Sequence, residues 1–223
     1  YMRQVPLSDP LDYVVSADNG QRASVVLPDG TKVWLNSHTK LYYKSDYGVK
    51  ERSVSLSGEA YFEVSKDTLH RFLVNAGDME IEALGTAFNV KAYEEDDEMV
   101  TTLFEGSVRT AVGKESVILS PDESAVFNKS NHILSVNRPR NVSYARLWRT
   151  NELAFSGESL EEIAVLLNRM YNVEVRFLSN KIKSYSFSGV IRNNSLDNVF
   201  EIISLTAPIT YESVGDTIYL NEK

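Results

Sequence analysis

From residue 13 to residue 136, apolar and polar side chains alternate in short runs of the kind that form β-strands. Each run shows period-two alternation or an excess of β-branched and aromatic residues, and the runs are Ser24–Leu27, Lys32–Leu35, Lys40–Tyr43, Ser53–Leu56, Ala60–Val64, Phe88–Tyr93, Val100–Phe104 and Ser107–Val112. Turn residues such as Pro28-Asp29-Gly30 separate them, and no long helical pattern intervenes. The pattern predicts a mainly β N-terminal domain built as a sandwich, a barrel or a solenoid-like stack.

A charged, proline-containing stretch at 137–141 ends this pattern, and the apolar spacing then changes. We interpret residues 137–150 as an interdomain linker and residues 1–12 as the remnant of an upstream linker. Ser159 has the character of a helix N-cap, and the apolar residues after it fall on one helical face: Leu160, Ile163, Ala164, Leu167, Met170 and Tyr171. A strand pattern follows at Val173–Phe177.

The same unit recurs once, and this repeat is the most informative structural feature of the chain. Ser195 aligns with Ser159, and the apolar residues after the two serines match at one constant offset. The tripeptide Phe-Ser-Gly precedes each helix, at 155–157 and at 187–189. Two tandem β-α-β units, closed by a last strand at 217–220, predict a small α+β C-terminal domain over residues 151–223, with both helices packed on one sheet.

Composition narrows the classes of function. The 223 residues carry a net charge of -8, which argues against binding nucleic acid or an anionic membrane surface, because phosphate repels an acidic protein. Cysteine is absent, so thiolate zinc sites, thiol nucleophiles and disulfides are excluded. No apolar run reaches the roughly 18 residues of a membrane helix. The chain opens at Tyr1 without an initiator Met or a signal peptide, and we expect further residues upstream of it.

Sequence motifs for common enzyme chemistry are also missing. The glycines are too widely spaced for a phosphate-binding loop, and there is neither a G-x-S-x-G nor an H-E-x-x-H motif. His38, His70 and His132 lie in separate β segments and are expected at the surface or in turns. The sequence therefore predicts no catalytic residue, no cofactor and no metal site.

Two groups of carboxylates have both a chemical and a structural interpretation. Glu59 and Glu63 share one strand face, where they could act as acid and base, but the same alternation marks any half-buried strand with a polar outer face. The acidic run 94–98 could be imagined as a calcium loop. It lacks the D-x-[DN]-x-[DN]-G framework and fits better as the solvated tip of a hairpin, because neighbouring acids repel one another. We favour the structural interpretation of both groups.

The aromatic residues leave one binding function open. Twelve Tyr and two Trp on a β scaffold could stack on sugar rings, although aromatic residues more often supply core and interface. Tyr144, Leu147 and Trp148 have the spacing of one helical face. We expect Trp148 to help dock the two domains together.

Four blocks in the β region closely resemble the FecR family of transmembrane anti-sigma factors: Leu27-Pro28-Asp29-Gly30-Thr31-Lys32-Val33-Trp34-Leu35-Asn36, Leu56-Ser57-Gly58-Glu59-Ala60-Tyr61-Phe62-Glu63-Val64, Leu84-Gly85-Thr86-Ala87-Phe88-Asn89-Val90 and Leu103-Phe104-Glu105-Gly106-Ser107-Val108. The resemblance continues through Trp148 into the tandem repeat. That part resembles the C-terminal domain of Bacteroidetes members, which is related to the secretin and TonB short N-terminal domain. For the β domain, the resemblance implies an antiparallel, solenoid-like or sandwich arrangement.

The resemblance implies the periplasmic part of a single-pass inner-membrane protein. In such a protein, a cytoplasmic segment missing from this chain binds an extracytoplasmic-function sigma factor, and a missing upstream helix provides the only membrane contact. The expected partner of the periplasmic part is the periplasmic signalling domain of a TonB-dependent outer-membrane transporter. The alternative function is a carbohydrate-binding module of a surface glycan-uptake system, and a glycosidase with paired carboxylates comes third.

Open strand edges in the C-terminal domain are the predicted surface for this partner, because an edge can accept another strand through backbone hydrogen bonds. One candidate strand carries Tyr185 and Phe187 on one face. The other, Asp216–Leu220, carries Thr217 and Tyr219 facing outward, with Ile218 and Leu220 facing inward. In the competing interpretation, both strands lie inside the sheet and the aromatic side chains belong to the core, because strand order does not follow from sequence.

Overall fold

The computed structural model of the chain describes residues 12–49, 51–192 and 195–223. The predicted upstream linker at 1–12 lies outside this part except for its last residue. The described β domain is 13-stranded, with strands β1 (Asp12–Ala17), β2 (Ala23–Val26), β3 (Lys32–Leu35), β4 (Thr39–Lys44), β5 (Arg52–Glu63), β6 (Phe72–Ala76), β7 (Met79–Ala83), β8 (Ala87–Ala92), β9 (Glu98–Glu105), β10 (Val108–Val112), β11 (Glu115–Leu119), β12 (Ser124–Asn128) and β13 (Ile133–Asn137).

These strands fold into two layers that share the long strand β5. The first layer has the order β1-β4-β5-β6-β7-β10-β11, and the second has the order β2-β3-β5-β8-β9-β12-β13. All pairs are antiparallel except β5 with β6. The structure thus confirms a mainly β antiparallel domain and, of the arrangements left open by the sequence, it is a sandwich with a single parallel pair among the described strands.

The core of the β domain lies between the two layers. Side chains that point inward from β5 alternate with those that point outward, so that Val54 and Phe62 are both almost fully buried. The Phe62 ring contacts Phe72 from the first layer at a centroid distance of 5.8 Å and Phe88 from the second at 5.1 Å. These three rings join the two layers through dense apolar contact.

Strand β5 passes from one layer to the other at Gly58. The backbone there has φ +110°, in the region that favours glycine. A Cβ atom at this position would lie 2.4 Å from Thr39 Oγ1 and 2.8 Å from the His38 carbonyl oxygen. Glycine therefore allows both the turn of β5 and its close approach to β4.

The C-terminal domain contains the two predicted β-α-β units: β14 (Leu153–Ser159), α1 (Leu160–Tyr171) and β15 (Glu174–Phe177), then β16 (Ser186–Ile191), α2 (Leu196–Thr206) and β17 (Ile209–Val214), closed by β18 (Thr217–Glu222). Ser159 and Ser195 are the N-caps of the helices, and their side chains accept hydrogen bonds from the Glu162 and Asn198 backbone N–H groups. The repeat and both caps are confirmed.

The expectation of one sheet in this domain is wrong. Strands β14 and β16, the first strands of the two units, pair with each other in a two-stranded sheet. The second strands, β15 and β17, flank β18 in a separate three-stranded sheet of order β15-β18-β17. Both sheets and both helices contribute to one core. The physical reason is that backbone hydrogen bonds are alike in every strand, so a repeat pattern identifies strands without identifying their partners.

Residues Val142–Thr150 form a 3₁₀-helix, which we call the linker helix. Asn141 caps its start by accepting a hydrogen bond from the Ser143 backbone N–H, and Asn151 ends it in the left-handed conformation at φ 62°. The helix lies within the predicted linker 137–150, and β13 extends one residue into that range. The domain boundaries themselves stay a prediction.

Replacing Gly58 with Ala should lower the free energy of unfolding by more than about 2 kcal/mol, because the new methyl group would collide with the β4 backbone and φ would be strained. Gly113→Ala is the control. Its φ is +57°, but nothing lies within 4 Å of the added Cβ, so it should cost only about 1 kcal/mol. Urea unfolding of the two variants measures the difference, and equal costs would contradict the role given to the Gly58 bend.

Leu167→Ala should destabilise the chain by roughly 2 to 5 kcal/mol, because this α1 side chain is fully buried in the C-terminal core. Val165→Ala on the same helix is the control. Val165 is 36% exposed, and its truncation should cost about 0.5 kcal/mol or less. Thermal unfolding followed by circular dichroism compares the two variants. A similar loss for both would mean that α1 does not pack as described.

Candidate functional site

The three histidines occupy exposed positions in turns and bends, as predicted. His38 and His132 both have φ 57°, and His70 pairs through Nδ1 with the Asp67 carboxylate at 2.9 Å. Within the described residues, no group of three or more His, Cys, Asp or Glu side chains could hold a metal ion. No helix in the same part of the chain has the length and apolar character to cross a membrane.

Glu59 and Glu63 do not form an acid–base pair. Both Glu59 carboxylate oxygens accept hydrogen bonds from buried amides, Asn36 Nδ2 at 2.8 Å and Asn89 Nδ2 at 2.9 Å. Glu63 instead lies 3.5 Å from an Arg149 guanidinium nitrogen. Each carboxylate has its own partners, so their arrangement serves packing and docking.

The predicted partner-binding residues fall in two different places. Tyr185 immediately precedes β16 and Phe187 lies in it, and both side chains are half-buried against the C-terminal core. Thr217 and Tyr219 lie in β18, where the neighbouring Ile218 and Leu220 are buried, as expected. The side chains of Tyr185 and Phe187 thus belong partly to the core, as in the competing interpretation. Their burial does not decide whether the backbone of β16 lies at a sheet edge.

The placement of Thr217 and Tyr219 on an open edge is wrong. Strand β18 is the centre of its sheet, with Thr217 opposite Glu174 of β15 on one side and opposite Val214 of β17 on the other. Its backbone groups are therefore used by two neighbouring strands. This order could not be predicted from the sequence, because local pattern identifies a strand but not the strands that pair with it.

Strands β16 and β17 each have a single pairing partner among the described residues. The Leu160 backbone N–H donates to the Tyr185 carbonyl, so alternation along β16 directs the backbone groups of Ser186, Ser188 and Val190 away from β14. In the β17–β18 hairpin, Val214 and Thr217 flank a two-residue turn. The same alternation therefore directs the Ser213 N–H away from β18.

The outer face of the second sandwich layer is covered by the linker helix. The Arg149 guanidinium carbon lies 4.2 Å from the Trp34 ring centroid and 3.9 Å from that of Tyr61. One turn earlier, Arg146 lies 4.7 Å from the Phe104 centroid. These cation–π contacts convert a strand face that was expected to meet water into an interface.

A ring of hydrogen bonds connects this strand face to the linker helix and to Asn151, the residue that ends it. The Trp148 indole N–H donates to Asn89 Oδ1 at 3.2 Å, and Arg22 Nε donates to Asn36 Oδ1 at 3.3 Å. Arg22 also donates through Nη1 to Asn151 Oδ1 at 3.1 Å, just after the linker helix. We call this the hydrogen-bond ring, and its members are Arg22, Asn36, Glu59, Asn89, Trp148 and Asn151. Trp148 thus docks the linker helix onto the β domain.

Burial raises the pKa of Glu59 above its ordinary value of 4.5, although Lys91 and the two amide donors favour its charged form. As the pH rises, the Glu59 carboxyl group loses its proton at a lower pH in the unfolded chain than in the folded chain. The folded chain therefore loses some stability as the pH rises from 4.5 toward the folded pKa. The charged form depends on the donors around it, because a buried carboxylate without them is strongly unfavourable.

A second contact, the Arg169 clasp, joins α1 to the β8–β9 hairpin. Arg169 Nη1 lies 2.8 Å from Asp96 Oδ1 and 3.1 Å from Glu95 Oε1, and its guanidinium stacks 3.8 Å from the Tyr93 ring centroid. Its backbone carbonyl accepts the Gly20 N–H at 2.8 Å. The clasp thus connects α1 to two separate loops of the β domain.

The expectation that the acidic run 94–98 is a solvated hairpin tip is therefore wrong for Asp96, whereas Glu95 is exposed although it also pairs with Arg169. Burial opposes the charge of Asp96, but Lys91 at 2.8 Å and Arg169 offset that cost, and the pKa of Asp96 lies below its usual value. The hairpin itself is present between β8 and β9. The sequence could not reveal the interface, because Arg169 lies more than seventy residues further along the chain.

Arg169→Met should lower the free energy of unfolding by roughly 1 to 3 kcal/mol, since it leaves Asp96 with Lys91 alone and removes the contact with Tyr93. Arg176→Met is the control, because its pair with Glu174 is exposed on both sides and should contribute little. Urea unfolding measures both. Equal stability of the Arg169 variant and the wild type would show that the clasp contributes nothing.

Comparisons with known proteins agree with this architecture. A sequence model of the FecR protein matches residues 13–109, and one of the FecR C-terminal region matches residues 152–220. Two crystal structures of a proposed anti-sigma factor from Parabacteroides distasonis ATCC 8503, at 1.65 and 2.50 Å resolution, are similar to this chain with a TM-score of 0.88 and 29% identity. The first similarity covers 95% of this chain and 99% of that chain, and the second covers 96% and 100%. No curated protein matched.

The two family matches lie on either side of the linker helix, in the order that the sequence blocks indicate. The solved structures extend the likeness across the junction, since they cover both domains. FecR proteins are membrane-anchored anti-sigma factors and act in regulation. This chain belongs to the FecR family.

Proposed function

We propose that this chain is the periplasmic sensor region of a transmembrane anti-sigma factor. It relays a signal from a TonB-dependent outer-membrane transporter to an extracytoplasmic-function sigma factor through protein contacts. The sigma factor binds a cytoplasmic segment outside this chain. The observation that carries the proposal is a C-terminal domain with an open strand edge that is joined to the β domain by the Arg169 clasp and the hydrogen-bond ring.

The edge of β16 fits a partner strand best. Its sequence, Ser186–Ile191, has neither a charge nor a proline, and those are the features by which natural edge strands avoid pairing. Its small residues leave the outward backbone groups accessible to an incoming strand. The competing edge, β17, carries Glu212 on its exposed face. Tyr185 and Phe187 support β16 from the core side, so they contribute to the site by holding its strand.

A sensor also needs a connection between its partner site and the rest of the chain. The linker helix and the Arg169 clasp supply two such connections, one on the outer face of the second layer and one at the β8–β9 hairpin. A displacement of the C-terminal domain would act on both. In chain order, the β domain lies between the C-terminal domain and the upstream residues. A displacement would therefore pass through the β domain toward the proposed membrane helix.

The carbohydrate-binding alternative depends on exposed aromatic rings. The row formed by Trp34, Tyr61 and Phe104 would be the natural platform, but Arg146 and Arg149 cover it. The glycosidase alternative depends on paired carboxylates, and Glu59 and Glu63 have separate partners. Protein binding is therefore the function that the geometry supports best, and we expect no catalytic turnover.

Titration calorimetry with the purified periplasmic signalling domain of each candidate transporter tests this function. We expect binding by the wild-type chain and at least about tenfold weaker binding by Ser188→Pro, which removes a backbone donor at the open edge of β16. Ser213→Pro is the matched control, because it removes the equivalent donor at the edge of β17 and should leave binding unchanged.

Circular dichroism must first show that both proline variants are folded. Loss of binding in Ser213→Pro alone would move the partner site to β17. Full binding by both variants would rule out strand addition at either edge. Absence of binding to every transporter domain, together with affinity for oligosaccharides, would favour the carbohydrate-binding alternative.

A further inference from the structure

Hydrogen bonds in the ring run in one direction, from the donors Arg22 and Trp148 through two amides to Glu59. A carboxylate only accepts hydrogen bonds, so Asn36 and Asn89 must both turn their NH₂ groups toward Glu59. Each amide then has only its carbonyl oxygen to offer on the far side. The Asn36 oxygen accepts from Arg22 Nε and from the Ser37 backbone N–H, and the Asn89 oxygen accepts from the Trp148 indole N–H. All three groups can only donate.

The ring is also closed. Arg22 donates to Asn151 Oδ1, and the Asn151 backbone N–H donates to the Trp148 carbonyl oxygen at 3.2 Å. One path from Glu59 therefore leads through Asn89 to the linker helix, and the other leads through Arg22 to the residue that ends the same helix. Glu59, Asn36, Asn89 and Trp148 are all buried, so a bond with the wrong polarity would leave an unpaired group away from water.

We propose that Glu59 is a positioning residue whose carboxylate holds the Asn36 and Asn89 amides with their oxygens turned outward, and so latches the linker helix onto the β domain. Reversing either amide would place an NH₂ group against Trp148 or Arg22, where two donors would face each other. Both arms of the ring therefore end at the same carboxylate. The chain has an interdomain latch controlled by one buried acid.

This inference rests on the proposed function only for its biological use, which is to keep the C-terminal domain in register with the β domain until a partner moves it. The geometry of the latch stands without a partner. Its location on β5 is suited to this use, because β5 belongs to both layers of the sandwich. Loss of the hydrogen bonds at Glu59 would therefore affect the one strand that belongs to both layers of the β domain.

The test is hydrogen exchange at the Trp148 indole N–H, followed by ¹H–¹⁵N nuclear magnetic resonance of the whole chain. The protein has two tryptophans, and Trp34→Phe assigns their two signals. Glu59→Gln should raise the exchange rate about ten- to a hundredfold, since the new amide presents a donor to one of the two asparagines. Trypsin should also cut more quickly after Arg146 and Arg149.

A swap of chemical groups gives the decisive comparison. In the double variant Glu59→Gln with Asn89→Asp, the amide introduced at position 59 donates to the carboxylate introduced at position 89. That carboxylate accepts the Trp148 N–H, while the oxygen of the new amide still accepts from Asn36. The polarity of the ring is restored, so exchange should return to within about threefold of the wild type. Asn89→Asp alone should loosen the helix, because two acids then face each other.

Glu80→Gln makes the same change at an exposed position of β7 and should leave exchange unchanged. A wild-type exchange rate in folded Glu59→Gln would overturn the proposal. Failure of the double variant to restore protection would also overturn it, and this comparison decides the matter if Glu59→Gln does not fold. Loss of transporter binding with an intact latch would instead count against the proposed function alone.

Discussion

A carboxylate that is buried between two protein layers must be met by donors, and in this chain that requirement organises the junction between the domains. Glu59 is met by Asn36 and Asn89, whose oxygens in turn accept from Arg22 and Ser37 and from Trp148. Desolvation alone would favour the neutral acid. Lys91 and the two amides offset part of this cost, and the docked Trp148 satisfies the oxygen of Asn89. A polar group of the β domain thus takes part in holding the linker helix.

The same strand carries the other constraint of the sandwich. Gly58 allows β5 to turn from one layer into the other, and Glu59 follows it immediately. The inward residues of β5 pack the core, while its outward residues meet the linker helix. A change in the path of this strand would therefore affect the core, the layer geometry and the interdomain contact together. This coupling provides a physical means of transmitting a displacement from one domain to the other.

The C-terminal domain contributes a different kind of surface. Its core is closed by two small sheets, and small sheets have a high proportion of edge strands. Strand β16 lacks the charges and prolines that usually protect an edge, whereas the neighbouring β15 has its Val175 N–H occupied by the Asn168 side chain. Of these two edges, β16 is thus the less protected against the addition of another strand.

Local pattern determined the elements of this protein, because periodicity and capping act over a few residues. Many strands of the β region, the tandem β-α-β units, both serine caps and the inward orientation of Ile218 and Leu220 followed from the sequence. The predicted runs Ser53–Leu56 and Ala60–Val64, however, are joined in the single strand β5, Arg52–Glu63. The family followed from four blocks whose glycine and aromatic positions are structural. Asn36, Glu59 and Asn89 stand in those same blocks, but their common role in one ring was hidden, since hydrogen-bond direction depends on partners that the blocks do not contain.

Tertiary structure alone decided which strands and charges meet. The central position of β18, the division of the C-terminal strands into two sheets, the covering of Tyr61 and Trp34 by Arg149, and the capture of Asp96 by Arg169 all join residues that are far apart in the chain. The local sequence around a strand or a charged residue is the same whether its partner is water or another segment of the chain. The choice between them is made by the packing of the whole chain, which brings the second partner within reach and excludes water from both.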